Sequence, residues 1–191
     1  MIMVQLVKLT DQLPGGDNWL FELKYDGYRV LAFVGGNVTK LITRNGNDIT
    51  SRFKYIANEL SDFFGATKVQ LDGELIMTDK NGLSDFYALQ RFRGGESVNI
   101  GYIIFDVLEL NNRDLRNLPL LQRKEILLSI SKGMSQPLQI SQFTFNLTRA
   151  QFNHVCAQGH EGIIAKEINS PYTTSRNGSW LKLKNQNFKR R

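Results

Sequence analysis

The sequence predicts an α+β domain built mainly on antiparallel sheets flanked by helices. Three observations carry that expectation. Several stretches alternate polar and apolar residues with a period of two and are separated by short turns. Ile100 to Leu110 (IGYIIFDVLEL) is almost continuously apolar, as a buried strand would be. Helical patterns are scattered between these stretches, with few crossover-length units of the kind that parallel sheets need. The chain has 191 residues, 41% hydrophobic and 22% charged, enough for one domain with a proper core.

Residues 19–25 and 29–34 read as extended runs around an Asp26-Gly27 turn. Gly35 to Asn37 is a second turn, residues 38–43 a third strand, and Arg44 to Asp48 a tight polar loop. Thr50 or Ser51 is placed to cap a helix in which Phe53, Ile56, Leu60, Phe63 and Phe64 recur at helical spacing. Lys68 to Met77 alternates, with Gln70, Asp72 and Glu74 on one face; Gly73 marks a bulge or a close backbone approach. Ser84 is placed to cap a short helix holding Phe86, Leu89 and Phe92. Pro119 suits the first turn of a helix reaching about Ile130, and residues 131–141 read as loop. Thr148 to Gln158 is a helix stopped by Gly159. GIIAKEI and SWLKLK complete the chain as strands, and no repeat or linker interrupts it.

The bulk properties narrow the function classes. The single cysteine, Cys156, excludes an internal disulfide and a zinc site on paired cysteines, and fits a reduced, cytoplasmic setting. No apolar run is long enough to cross a bilayer. Asp11 interrupts the N-terminus too early for a secretory signal. The net charge of +6, from 24 Lys and Arg against 18 Asp and Glu, favours a nucleotide or nucleic acid partner.

Three constellations could carry chemistry. In FELKYDGYRV an extended backbone places Glu22, Lys24 and Asp26 on one face, ahead of Arg29. A lysine amine attacks phosphorus only when neutral, so cations such as Lys182, Lys184 or Mg²⁺ would assist Lys24, while Glu22 and Asp26 would oppose it. Glu74 in DGEL and Glu161 in EGII each sit beside a glycine that would let a ligand approach the backbone, and their oxygens suit Mg²⁺. In WLKLK, Lys182 and Lys184 share a strand face suited to an α-phosphate and a leaving pyrophosphate. Phe105 offers a π-face for a purine if it lines a pocket, and Arg44 a donor to ribose or phosphate.

Taken in order, KYDGYR, TRNG, LDGEL, IIFDVLEL, EGIIAK and WLKLK resemble motifs I, Ia, III, IIIa, IV and V of ATP-dependent DNA ligases. The wider family is the covalent nucleotidyltransferases, which includes RNA ligases and mRNA capping enzymes. The resemblance runs from about Trp19 to Lys184. DNWLFELKYDGYR, LPLLQRKEIL and SPYTTSRNGSWLKLK most resemble the adenylation domain of bacterial ligase D-type end-joining ligases.

The resemblance implies an ATP-grasp-like adenylation fold over residues 1–191, with ATP as AMP donor and Mg²⁺ or Mn²⁺ as metal. Lys24 matches the nucleophile that forms lysyl-AMP, and Glu22 the acidic residue beside the adenine amino group. Asp26 and Arg29 complete motif I, and Arg29 matches a nucleotide and nick-phosphate contact. Arg44 matches a ribose and DNA-end contact, Glu74 a ribose or metal contact, and Phe105 the ring stacked on adenine. Glu161 matches a metal ligand, and Lys166, Lys182 and Lys184 match phosphate-contacting lysines.

The implied partners are nicked or broken duplex DNA, an OB-fold domain and other end-joining proteins. The setting would be a monomer in the bacterial cytoplasm, at the nucleoid, without a membrane. Arg29 argues against NAD⁺-dependent ligases, which usually carry alanine there, and Glu161 against capping enzymes, which usually carry Asp-Gly. An RNA ligase domain and a non-turnover nucleotide- or DNA-binding module of the same fold are the alternatives. Family members continue into an OB-fold domain carrying motif VI, which these 191 residues do not include, so slow self-adenylation and weak DNA clamping are expected.

Overall fold

The computed structural model describes residues 4–36, 38–97 and 99–191; Asn37, in the expected Gly35–Asn37 turn, lies outside them. The chain runs β1 (Lys8–Thr10), β2 (Trp19–Leu23), β3 (Tyr28–Gly35), β4 (Val38–Thr43), α1 (Lys54–Phe64), β5 (Val69–Met77), α2 (Phe86–Arg91), β6 (Ile100–Leu110) and β7 (Arg113–Asp114). It continues through α3 (Leu120–Ile130), β8 (Leu138–Ile140), β9 (Phe143–Thr144), α4 (Arg149–Ala157), β10 (Gly162–Glu167) and β11 (Trp180–Lys184). Two sheets result. One has the order β1-β11-β10-β2-β9, the other β4-β3-β5-β6-β7 with β8 beside β6. Only β1 with β11 and β6 with β8 are parallel pairs among the described strands, so the expected antiparallel α+β architecture is observed.

Strand periodicity explains how the sheets meet. Leu20 of β2, Leu31 of β3, Leu108 of β6 and Trp180 of β11 join one buried cluster between the sheets. The neighbouring odd-numbered residues of the first sheet face away from it: Phe21, Ile163 and Leu183 pack with Phe152 of α4. The outer face of the second sheet is covered separately, with Val30, Ala32, Leu71 and Leu75 packed against Ile56 and Leu60 of α1. Each fully buried leucine or isoleucine stabilises the fold by about 1.5–3 kcal/mol. Sheets packed on both faces explain why Phe21, next to a charged residue, is as buried as the core.

Several sequence expectations are corrected. The Asp26-Gly27 step is not a hairpin turn, because β2 and β3 belong to different sheets and the chain crosses between them there. Gly27 is needed because a Cβ would collide with the Leu75 carbonyl of β5. Neither Thr50 nor Ser51 caps α1, whose N-cap position is Phe53 without a side-chain bond. The Thr50 hydroxyl is already engaged, accepting from Leu41 N–H at 2.9 Å and donating to Asp48 at 2.6 Å. Asp85, not Ser84, caps α2 by accepting from Ala88 N–H. The 131–141 segment contains β8, and β1 has no counterpart in the sequence reading. Helix α4, the Ile100–Leu110 strand and both C-terminal strands stand where expected, and Thr148 is the N-cap of α4.

Candidate active site

The inner face of the first sheet presents Glu22, Ile164 and Lys182 as a row, because Ile164 is the register partner of both Glu22 on β2 and Lys182 on β11. Facing them, the second sheet presents Arg29 paired in register with Glu74. A cavity of about 230 Å³ lies between. Its wall includes Glu22, Lys24, Arg29, Arg44, Glu74, Phe105, Lys166 and Lys182, together with Ile164 and Trp180. These side chains come from widely separated segments, and the two-sheet arrangement brings them together.

Lys24 follows the end of β2 and is fixed by its backbone N–H, which donates to the Gly162 carbonyl at 3.0 Å. Its Nζ donates to Glu161 Oε2 at 2.6 Å. Lys184 Nζ stands 3.3 Å from the other oxygen of the same carboxylate. Glu161, rather than Glu22 or Asp26, is therefore the counter-ion of Lys24. Asp26, expected with the nucleotide contacts, turns away as the chain leaves β2 and accepts a bidentate pair from Arg190 at 2.6 and 2.8 Å. Lys184 is likewise outside the cavity wall, nearly half exposed and directed at Glu161.

Glu22 is buried and accepts from two ammonium groups, Lys124 and Lys166, the latter at 2.7 Å. Burial opposes its ionisation, yet the two lysines outweigh burial and hold its carboxyl below the usual range. Lys166 is pushed down to about 8 by burial, against the pull of Glu22, with Lys124 adding to the lowering. Its Nζ lies 4.3 Å from the Phe105 ring centre and 4.1 Å from that of Trp180. Glu74 is pushed up to about 7 by burial, against the attraction of Lys24 and Arg29. Partial burial and the neighbouring charges of Lys184, Lys24 and Arg176 lower Lys182.

Arg29 donates to Asp72 through Nε at 3.1 Å and Nη2 at 2.7 Å, and to the Gln5 carbonyl at 2.6 Å. Its guanidinium lies beside the Phe105 and Trp180 rings, at 5.4 and 5.5 Å. Trp180 Nε1 is buried without a hydrogen-bond partner among the described residues.

The glycines beside the glutamates do not open the backbone to a ligand. A Cβ on Gly73 would strike the Tyr102 ring and the Ile103 carbonyl, and one on Gly162 the Leu183 carbonyl. They are close-packing positions within the sheets. Of the two readings of Gly73, the close approach is the one observed: the register shift between Asp72 and Gly73 leaves out Phe105 of β6, while β5 stays in regular register with β3.

Sequence reasoning missed Lys124, Asp72, Tyr172, Trp180 and Ile164. Lys124 had a readable signal. It sits four residues after Leu120 and three before Leu127, both fully buried on α3, so a lysine occupies the buried stripe. Asp72 shares a strand face with Glu74. Nothing local marks Tyr172, which reaches Asp72 from the loop between β10 and β11.

No all-protein metal cage of three or more His, Cys, Asp or Glu side chains occurs among the described residues. Glu74 and Glu161 nonetheless fit Mg²⁺ or Mn²⁺, which take one or two carboxylates and complete their shell with phosphate and water. Both are oxygen donors next to Lys24.

Comparison with known proteins gives the site a context. Residues 3–184 match the family model described as the ATP dependent DNA ligase domain. The multifunctional non-homologous end joining protein LigD of Pseudomonas aeruginosa is 36% identical over 187 residues, covering 97% of this chain and 22% of that protein. The ligase domain from M. tuberculosis LigD superposes with a TM-score of 0.77 at 28% identity, covering 95% of this chain and 60% of that one. A mycobacterial DNA ligase D complexed with ATP and MES gives a TM-score of 0.72 at 28% identity, covering 94% and 60%. The chain thus spans about a fifth of its curated relative and three fifths of these solved ligase domains.

Proposed function

This chain belongs to the ATP-dependent DNA ligase domain family, and on that premise we propose that it is an adenylating domain whose nucleophile is Lys24. The amine of Lys24 attacks the α-phosphorus of ATP. A P–N bond forms, the bond to the bridging oxygen of pyrophosphate breaks, and lysyl-AMP remains. AMP then passes to a 5′-phosphate of nicked or broken duplex DNA, and a 3′-hydroxyl displaces it to close the strand. The carrying observation is the position of Lys24, which lines the cleft between the two sheets with Glu161 Oε2 2.6 Å from its Nζ. The amine must shed a proton to solvent before it attacks, and a cation held by Glu161 would weaken the ion pair that favours the ammonium.

The wall divides into two chemistries. Phe105 and Ile164 supply apolar surface for the adenine base, with Glu22 beside them as an acceptor for its amino group. Arg29, Lys166 and Lys182 supply positive charge for the phosphates, Lys184 reinforces it from outside, and Arg44 serves the ribose or DNA end. Glu74 is assigned to ribose or metal, and Glu161 to metal. A divalent cation bound there would neutralise phosphate charge. Asp26 acts on Arg190 rather than on the nucleotide. Residues 1–191 form the adenylation domain and would work as a monomer with a separate OB-fold domain and other end-joining proteins in the bacterial cytoplasm. No helix among the described residues is long and apolar enough to cross a membrane.

The test is a chase. Protein labelled with the AMP moiety of ATP is mixed with nicked DNA or a nicked RNA duplex carrying a 5′-phosphate. Label moving to the DNA end, followed by sealing, supports the proposal. Preferential transfer to RNA would reassign the substrate. Retention of noncovalent AMP, without transfer to either, would favour a binding module.

A further inference from the structure

We propose that Tyr172 is a positioning residue for Arg29, acting chiefly through Asp72 and also by a longer direct bond, in which Arg29 Nη2 donates to the Tyr172 hydroxyl at 3.4 Å. The proposal rests on the adenylation reading above, in which Arg29 contacts the nucleotide. Tyr172 lies in the loop between β10 and β11 and is 5% exposed. Its phenol O–H donates to Asp72 Oδ2 at 2.6 Å, the oxygen that also accepts from Arg29 Nη2 at 2.7 Å. Asp72 is fully buried, and its hydrogen-bond partners among the described residues are Arg29 and Tyr172. Arg29 alone supplies the charge such a carboxylate requires. The phenol adds a second direction, so the carboxylate plane, and with it the guanidinium plane, is fixed from two sides.

Two further contacts show that this loop is braced against Arg29. Gln5, whose backbone carbonyl accepts from Arg29 Nη1, also accepts through its side chain from the backbone N–H of Thr173 at 2.6 Å. The Tyr172 ring meets Trp180 edge-on at 5.9 Å, and Trp180 in turn borders the Arg29 guanidinium. The N-terminal segment, β5, the loop at Tyr172–Thr173 and Trp180 of β11 therefore converge on one side chain in the cavity wall. Burial and the Asp72 charge push the phenol pKa far up, so it stays a donor throughout the working pH range. A displacement of about 1 Å in a positioned charge can lower a rate on the order of 10²-fold, so loss of one of two restraints should cost less than that.

The test compares rates of lysyl-AMP formation at saturating ATP in wild type, Tyr172→Phe, Arg29→Lys and the double variant, with melting temperatures measured beside them. Arg29→Lys keeps a cation opposite Asp72. The expected result is a roughly 5–50-fold slower rate for Tyr172→Phe in the wild-type background and little further loss in the Arg29→Lys background. A merely structural tyrosine would lower the melting temperature and slow both backgrounds by the same factor, which overturns the proposal. An unchanged Tyr172→Phe rate also overturns it while leaving the adenylation reading intact. If wild type forms no lysyl-AMP, the adenylation reading fails and takes this proposal with it.

Discussion

Two side chains in the cavity wall are set against their ordinary protonation by burial, and both titrate near neutrality. Glu74 is pushed up to about 7 and Lys166 down to about 8. A carboxylate that meets a cation or ribose must be ionised, and a lysine that meets phosphate must be protonated. Lysyl-AMP formation should therefore rise as pH passes about 7 and fall as it passes about 8, and Glu74→Gln should flatten the acidic limb. The same shift makes a stability prediction. The folded value for Glu74 lies above the ordinary 4.5, so its stabilising contribution is complete below that pH and is lost as pH rises through about 7. Glu74→Gln should be the more stable protein by about 1–3 kcal/mol at pH 8, with the difference fading towards pH 4, as read by thermal melts. A variant less stable than wild type at every pH would show that Lys24 and Arg29 overcome the burial. At this scale the sequence revealed residues whose motif neighbours carried them, such as Lys24 and Glu161. It concealed partners fixed only by tertiary packing: Lys124 meets Glu22 across 102 positions of chain, and Tyr172 meets Asp72 across 100.

Helix α4 shows what a single element contributes. Thr148 accepts from Gln151 N–H, while the Gln151 side chain accepts from Thr148 N–H, a complete capping box. Thr148 is exposed, whereas Phe152 one turn later packs against Phe21 and Ile163 behind the cavity. Thr148→Ala should cost about 1 kcal/mol and lower the melting temperature by about 2–4 °C, with lysyl-AMP formation unchanged. A marked loss of labelling would mean that α4 tension is transmitted to β2 and β10. The elements legible in the sequence were long or strongly periodic: the period-two runs of β5 and β11, the apolar run of β6, and the helical spacing of α1. The three-residue strands β1 and β8 are too short for a period, and both are held by parallel pairing to remote strands. The caps of α1 and α2 were misplaced by one to three residues, because several neighbouring Ser, Thr and Asp side chains could serve and tertiary contacts chose among them.

For the whole molecule, the consequence of two sheets is convergence. One sheet and its β2 end carry Glu22, Lys24, Lys166 and Lys182, the other Arg29, Glu74 and Phe105, and the cavity exists only where their inner faces meet. The net charge of +6 matches a polyanionic partner. The central claim is that this assembly makes Lys24 a covalent acceptor of AMP. Its most direct test is the intact mass of the purified chain before and after incubation with ATP and Mg²⁺, beside Lys24→Ala. The account predicts a mass gain of one AMP in the wild type, either as purified or after incubation, and none in the variant under any condition. AMP addition to Lys24→Ala, or a wild type that never carries AMP, would contradict it.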